Sequence, residues 1–122
     1  GLSLYPLHLK NHGDCKLEDY CQMIIKLSKM IGIDQIGIGS DLCKNWSDDI
    51  VVWMRNGKWT KKMDYGESKN QSTSWPKQPN WFEKSSDIIN IYFEFEKNGM
   101  KEKDIFKILG NNWLRFMKQS FS

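Results

Sequence analysis

The sequence predicts an α/β fold built around a strand, a helix and a second strand, and three stretches support this prediction. Residues 1–5 are apolar and β-compatible, and Pro6 ends them. Residues 17–31 place apolar side chains at steps of three and four, which is the spacing of an amphipathic helix. Residues 35–39 form a second short apolar stretch. A strand, a helix and a strand at this spacing make a βαβ unit, in which the two strands are parallel.

The helix predicted over residues 17–31 has recognisable ends. Asp14 is a candidate N-cap, and the acids Glu18 and Asp19 suit the positive end of the helix. Gly32 is well placed as the C′ residue, just after the end of the helix. The side chains expected on the buried face are Leu17, Tyr20, Cys21, Ile24, Ile25, Ser28 and Ile31.

The second strand, over residues 35–39, carries two isoleucines with glycines between them. Such a short apolar run is typical of a parallel strand that is covered by helices. Gly37 and Gly39 weaken the strand propensity, and glycine in a strand marks the close approach of a helix, a ligand or another backbone. We therefore expect close packing at these glycines.

Residues 42–86 form a long polar excursion. A short helix is predicted over residues 47–55, with Ser47 as its cap. Trp59, Trp75 and Trp81 lie within the polar part of this segment. They favour a packed, substrate-facing or partner-facing loop, because connections this long are usually functional when they are ordered. A disordered insert is the alternative.

Residues 87–120 are predicted to be helical. A first helix is closed by Gly99, a second is broken by Gly110, and a last helical stretch follows. Two parallel strands do not make a stable sheet by themselves, because each edge leaves N–H and C=O groups unpaired. We therefore expect these 122 residues to be one part of a larger α/β protein, either as a fragment or as one of two chains that pack together.

Composition narrows the function classes. The chain has 18 basic and 15 acidic residues, a formal net charge of +3, and no basic stripe of the kind that nucleic-acid binding requires. No stretch approaches the run of about 18 apolar residues that spans a bilayer. Residues 1–7 lack the basic region of a signal peptide. The three cysteines form no CxxC pattern, which favours a reducing compartment, and we expect a cytoplasmic protein.

The apolar run of the second strand ends abruptly at Asp41. Asp is a common turn residue, so one interpretation is a turn. The other interpretation is that a buried strand brings a carboxylate to the rim of a functional site. The residues by themselves leave both interpretations open.

Three segments, in this order, carry a resemblance to a known family: LSLYPLHLKN, LEDYCQMIIKLSKMIGIDQIGIGSDL and EKDIFKILGNNWLRF. Together they resemble the C-terminal third of the membrane (renal) dipeptidase family. These proteins are zinc-dependent dipeptidases with an amidohydrolase-like (β/α)₈ barrel. The sequence departs from the family pattern at Cys43, where a second Asp is usual, and at Gln35, where a His is usual.

The resemblance implies that the chain is the C-terminal part of a TIM (β/α)₈ barrel, namely its last two β/α units. Residues 1–5 would be strand seven, residues 17–31 the next helix and residues 35–39 strand eight. Asp41 would then lie at the carboxyl end of the last strand, and barrel active sites are found at that face.

The resemblance also implies an activity. Two zinc ions would activate a water that attacks the peptide bond of a dipeptide, and their ligands would come from earlier strands outside this chain. Asp41 would be the catalytic residue that moves the proton, and it would also hold the free amino group of the substrate. Tyr5 and His8, at the end of strand seven, would contact the substrate. We expect the 122-residue chain to contribute no metal ligand and to be inactive when isolated.

The partners expected are a dipeptide substrate, the N-terminal part of the barrel and, as an option, a second copy of the chain in a homodimer. His8 and His12 have the spacing HxxxH, but they lie in a loop and lack further ligands, so we interpret them as solvated. Asn111, Asn112 and Arg115 match a family stretch that we interpret as a helix break that docks the C-terminal tail on the barrel, with a catalytic role as the alternative. The alternative function is a non-catalytic peptide-binding or protein-binding remnant, or an inactive homologue, whose basis is the Trp-rich loop.

Overall fold

A strand, a helix and a strand open the chain: β1 (Leu2–Ser3), α1 (Leu17–Ile31) and β2 (Ile38–Gly39). The computed structural model describes residues 1–43, 45–56 and 74–121. The chain divides into two units, one made of Gly1–Leu42 and Gln78–Ser122, the other of Cys43–Lys77.

β1 and β2 pair in parallel, with Leu2 opposite Ile38 and Ser3 opposite Gly39. This pairing, with α1 between the strands in sequence, confirms the predicted βαβ unit. Both strands are shorter than the predicted ranges 1–5 and 35–39. On one side a 3₁₀ helix begins at Pro6, and on the other a 3₁₀ turn occupies Ile33–Gln35, so extended pairing is confined to two residues in each strand.

The predicted bounds of α1 are confirmed, but its predicted N-cap is wrong. Lys16 is the N-cap residue, and Asp14 instead ends a 3₁₀ helix over His12–Asp14. At the other end, Gly32 has a φ of +86°, a conformation that costs glycine little because it has no Cβ. Ile31, predicted on the buried face, is about half exposed, because the helix ends there.

The core lies between one face of the two strands and the helices. Side chains alternate along a strand, so Leu2, Leu4, Ile36 and Ile38 point to the same face; Leu4 and Ile36 are buried in the core cluster, and Leu2 and Ile38 are partly buried against it. Most of the other fully buried side chains come from the helical segments: Cys21, Ile24, Ile91, Phe95, Ile105 and Ile108. Phe82, before the C-terminal helices, adds another.

Trp113 packs at the amino-terminal end of the two strands. A Cβ placed on Gly37 would lie 2.5 Å from the indole Nε1, and one placed on Gly1 would lie 2.8 Å from the indole ring. Neither distance is compatible with a side chain, so the predicted close approach at Gly37 is confirmed. Gly39 differs, since the nearest atom to a Cβ there is a backbone oxygen at 4.0 Å.

The C-terminal residues form α3 (Ile88–Lys97), α4 (Glu102–Phe106) and α5 (Asn112–Ser120). Gly99, with a φ of +76°, follows the end of α3 as predicted. The predicted helix break at Gly110 is wrong. A π-helical segment over Lys107–Asn111 contains this glycine and connects α4 to α5 without interruption.

The second unit contains α2 (Asp48–Asn56), which confirms the short helix predicted over residues 47–55. In this unit the Trp75 indole N–H donates to the Trp46 carbonyl at 3.0 Å. Trp59 lies outside the described residues. Within the described ranges, no helix is long and apolar enough to cross a membrane.

Candidate active site

The carboxyl ends of β1 and β2 bring two of the predicted site residues, Tyr5 and Asp41, to the same end of the sheet. Ser3 is level with Gly39 in the register. Tyr5 and Asp41 each follow two residues later, on adjacent parallel strands that run in the same direction. The sheet therefore delivers Tyr5 and Asp41 to the same end, where parallel strands of α/β folds present their functional side chains.

Asp41 is exposed and has a φ of +50°. This left-handed conformation is one that Asp and Asn tolerate better than most residues, because their short polar side chains form local hydrogen bonds. A left-handed residue just after β2 agrees with the interpretation of Asp41 as a residue at which the chain changes direction. That its exposed carboxylate lies at the rim of a functional site stays a prediction.

Tyr5 and His8 are brought into contact. Their ring centroids are 5.1 Å apart and their planes make an angle of 70°, which is an edge-to-face arrangement. The His8 N–H donates to the Tyr5 carbonyl at 2.9 Å within the turn that follows β1. Tyr5 is half-buried and His8 is exposed, so this pair offers an aromatic surface with an accessible imidazole.

Ser3 is a site residue that the sequence analysis did not single out. Its Oγ accepts a hydrogen bond from the Tyr5 N–H at 2.9 Å, which fixes the chain where β1 ends. The period of two along a strand, which places Ser3 and Tyr5 on the same face, is a sequence signal that could have identified it.

A pocket of about 290 Å³ adjoins this end of β1. Ser3 and His8 line it together with the first turns of α1, including Tyr20. Tyr20 is buried, its hydroxyl has no hydrogen-bond partner among the described residues, and burial raises the pKa of its phenol. The phenol of Tyr20 therefore stays protonated near neutral pH.

The described residues contain no group of three or more His, Cys, Asp and Glu side chains that could hold a metal ion. His12 is exposed, with a φ of +52°, in the loop before α1. Zinc sites in proteins need three or four such ligands. The donors at this end of the sheet therefore do not form a zinc site by themselves.

Trp81 is packed against α1. Its indole N–H donates to the Cys15 carbonyl at 2.7 Å, and its ring lies 5.5 Å from the ring of Tyr20. The Asn90 amide also donates to the Trp81 carbonyl at 2.9 Å. Of the interpretations open for this tryptophan, the packed one is confirmed.

The C-terminal tail docks on the segment before β2. The side-chain amide of Asn112 donates to the carbonyls of Ile33 and Ile36 at 2.8 and 2.7 Å. Arg115 donates to the carbonyl of Asp34. A hydrogen bond from Lys107, which forms a salt bridge of 2.7 Å with the Asp34 carboxylate, lowers the pKa of that carboxyl. These contacts show that Asn112 and Arg115 hold the tail to the segment before β2, whereas the helix break expected at this stretch is wrong because the helix continues through it.

No family model matches this sequence, and no curated protein matches it. Its structure is similar to the crystal structure of an amidohydrolase from Pseudomonas aeruginosa, with a TM-score of 0.78 and 24% sequence identity. The similarity covers 97% of this chain and 34% of that protein. The chain thus shares its fold with about a third of that structure.

Proposed function

We propose that this chain is the C-terminal part of a metal-dependent hydrolase that cleaves dipeptides, and that Asp41 is its catalytic carboxylate. The observation that carries the proposal is the position of Asp41, at the carboxyl end of β2 and level with Tyr5 on the neighbouring strand. The similarity in fold to an amidohydrolase and the family resemblance of three segments support it. The other two-thirds of such a protein would be the partner of this chain.

The chemistry proposed for Asp41 is proton transfer. An exposed carboxylate at this position accepts a proton from the attacking water and returns it to the leaving amine. The same negative charge pairs with the ammonium group of a dipeptide. Tyr5 and His8, held edge to face beside the end of β1, contact the rest of the substrate.

The proposed hydrolase binds two zinc ions, and the described residues contain no cluster of side chains that could hold them. The zinc ligands would come from polypeptide outside the 122 residues. When bound, the metal would supply a hydroxide near neutral pH. The contribution of this chain is confined to positioning the substrate and moving the proton at the Asp41 carboxylate.

The test is Asp41→Asn in the complete hydrolase. The amide keeps the shape of the side chain but accepts no proton, so turnover of dipeptides should fall about 100-fold or more. Metal content should not change, because Asp41 is not a proposed ligand. The measurements are kcat on a set of dipeptides and zinc content by elemental analysis.

Asp49→Asn is the matched control, because it removes the same charge from an exposed Asp in α2. It should leave kcat within about twofold, as surface substitutions rarely matter more. Near-normal turnover in Asp41→Asn, with the control unaffected, rejects the role of Asp41.

A second candidate function is non-catalytic peptide or protein binding. The exposed indoles of Trp46 and Trp53 favour it, because Trp is enriched in binding hot spots. The packed position of Trp81 weighs against it, since that side chain is partly buried and its indole N–H already donates to the Cys15 carbonyl. Upstream coding sequence with a His-x-Asp pair, a Glu and two more His favours the enzyme, and their absence favours the binding module. A cytoplasmic location is part of the proposal.

A further inference from the structure

We propose that the peptide Asn98–Gly99 is a deamidation site whose reaction is controlled by the fold. The peptide is held unreactive while the C-terminal end of α3 is intact, and it reacts when that end opens. The product is a carboxylate beside the buried Glu94, and it weakens the contact between α3 and α1 irreversibly. This inference goes beyond the proposed function and does not depend on it.

The chemistry is the loss of ammonia from an asparagine side chain. An Asn-Gly pair is prone to it, because glycine has no side chain to obstruct the attacking nitrogen. The backbone nitrogen of Gly99 attacks the carboxamide carbon of Asn98, and a C–N bond forms. The bond from that carbon to Nδ2 breaks, and Nδ2 leaves as ammonia with the proton from the Gly99 nitrogen. Water then opens the cyclic succinimide to give aspartate or isoaspartate.

The carboxamide of Asn98 is held by three hydrogen bonds. Its Nδ2 donates to the Glu94 carbonyl at 2.7 Å and to the Glu94 carboxylate at 2.9 Å. Its Oδ1 accepts from the side-chain amide of Gln22, on α1, at 2.7 Å. Because a backbone carbonyl can only accept, these contacts fix which end of the carboxamide carries the nitrogen. The leaving group and the carbon that is attacked are therefore both held in place.

The attacking nitrogen is turned away from this carboxamide. Asn98 has a ψ of 10°, so the Gly99 nitrogen nearly eclipses the Asn98 nitrogen and lies away from the Asn98 Cβ. Ring closure requires the Gly99 nitrogen on the side of that Cβ. The Gly99 N–H also donates to the Glu96 carbonyl at 2.9 Å. Attack therefore requires both a rotation about the Asn98 Cα–C bond and the loss of this hydrogen bond.

The hydrogen bonds that end α3 control the access to the reactive conformation. Besides the bond from Gly99, the Met100 N–H donates to the Phe95 carbonyl at 3.0 Å, and Gly99 has a φ of +76°. Together these features form a Schellman motif. Burial does not protect the pair, since Asn98 and Gly99 are both exposed. The last turn of α3 must open before the reaction, and helix ends open at a lower free energy than the whole protein.

The reaction changes what position 98 can do for the helix. A carboxylate has no N–H, so both hydrogen bonds to Glu94 are lost. The new negative charge would also lie close to the Glu94 carboxylate, which is 8% exposed and pairs with Lys97 at 3.2 Å. Like charges at such a separation repel each other. The closed end of α3 is therefore disfavoured after the reaction, and ammonia does not return.

Peptide mass spectrometry of the complete gene product tests the proposal, because deamidation changes the mass of the peptide. The second Asn-Gly pair of the sequence, Asn56–Gly57, is the internal standard. In urea, where both pairs are unfolded, they should react at similar rates. In the folded protein at the same pH, Asn98 should react at least about tenfold more slowly than in urea. Equal rates at Asn98 in the two conditions would overturn the proposal, as would slow reaction of Asn98 alone in urea.

A variant on α1 tests the hydrogen bonds to the carboxamide. Gln22→Ala removes the donor to the Asn98 Oδ1 and should raise the deamidation rate at Asn98 severalfold in the folded protein but not in urea. Gln119→Ala is the matched control, because Gln119 is an exposed glutamine on α5, and it should leave the rate unchanged. Equal rates in the two variants would contradict the control of the reaction by these contacts.

Asn98→Asp reproduces the aspartate product and tests its consequence. It should lower the melting temperature of the complete protein, because the two hydrogen bonds to Glu94 are replaced by repulsion. Asn80→Asp is the control, since it makes the same change at an exposed asparagine in a turn ahead of α3, and it should have little effect. Equal melting temperatures of the two variants would reject the weakening of α3 by the product.

Discussion

Gly37 and Gly39 occupy the same strand segment, but only Gly37 has a side chain where its Cβ would be. We expect Gly37→Ala to destabilise the protein by about 1–3 kcal/mol, because the added methyl collides with the Trp113 indole. Gly39→Ala is the matched control and should change the free energy of unfolding by less than about 1 kcal/mol. Urea denaturation of both variants measures the difference.

Trp113→Ala should remove most of the penalty of Gly37→Ala, because the double variant has no indole to collide with. Additive effects of the two substitutions would mean that the collision is not the cause.

The buried thiol of Cys21 should make the free energy of unfolding depend on pH. Burial, together with the nearby Glu94 carboxylate, raises the pKa of its thiol to about 12. In the unfolded chain the thiol titrates near pH 9, so above that pH the unfolded state binds fewer protons than the folded state. The free energy of unfolding should therefore fall between about pH 9 and pH 12, at up to about 1.4 kcal/mol per pH unit from this thiol.

Urea denaturation from pH 7 to pH 11 tests this expectation, with Cys21→Ala as the comparison. The variant should be less stable at every pH, because a buried group is lost, but its stability should fall less steeply in the alkaline range. An unchanged slope would show that Cys21 does not contribute to the pH dependence.

At the scale of the elements, the helix over 17–31 could be predicted from the sequence to the residue, because its apolar spacing and Gly32 are local signals. The predicted strands were too long. The length of a strand depends on which neighbour offers hydrogen bonds, and β1 and β2 pair over two residues each. Gly110 indicated a break, but tertiary contacts of the tail hold the helix through it.

The candidate site, too, could be predicted from the sequence only in part. The end of an apolar run located Asp41, because strand ends are visible in sequence. The support that Ser3 gives Tyr5, and the edge-to-face contact of Tyr5 with His8, depend on turn geometry that composition does not encode. A left-handed conformation at Asp41 was compatible with the sequence but was not dictated by it.

The hydrogen bonds from Asn112 to the segment before β2 should contribute measurably to stability. Asn112→Ala removes two hydrogen bonds and leaves the carbonyls of Ile33 and Ile36 without these donors. We expect a loss of about 2–3 kcal/mol in the free energy of unfolding. Asn111→Ala is the control, because Asn111 is the adjacent amide and is exposed. Thermal unfolding of both variants measures the two losses. Equal losses would mean that the two hydrogen bonds of Asn112 do not account for its effect on stability.

At the scale of the whole molecule, the proposal that the zinc ligands lie outside these 122 residues predicts how much zinc the chain binds. The 122-residue chain should retain no stoichiometric zinc after dialysis, because its described residues form no ligand cluster. Adding the N-terminal part of the protein should restore both zinc and dipeptide hydrolysis. Elemental analysis and an activity assay measure these, and tight zinc binding by the 122 residues would contradict the assignment of ligands.

The π-helical segment over Lys107–Asn111 has a consequence for which sequence changes the tail can accept. A π turn holds about one residue more than an α turn over the same rotation, and one residue corresponds to about 100° along an α-helix. Deleting one residue of this segment should thus convert it into an ordinary α turn and leave Asn112 and Trp113 facing β2. Inserting a residue into the regular α5 should instead rotate the residues that follow by about 100°, so the effect of a change in length depends on where in the tail it falls.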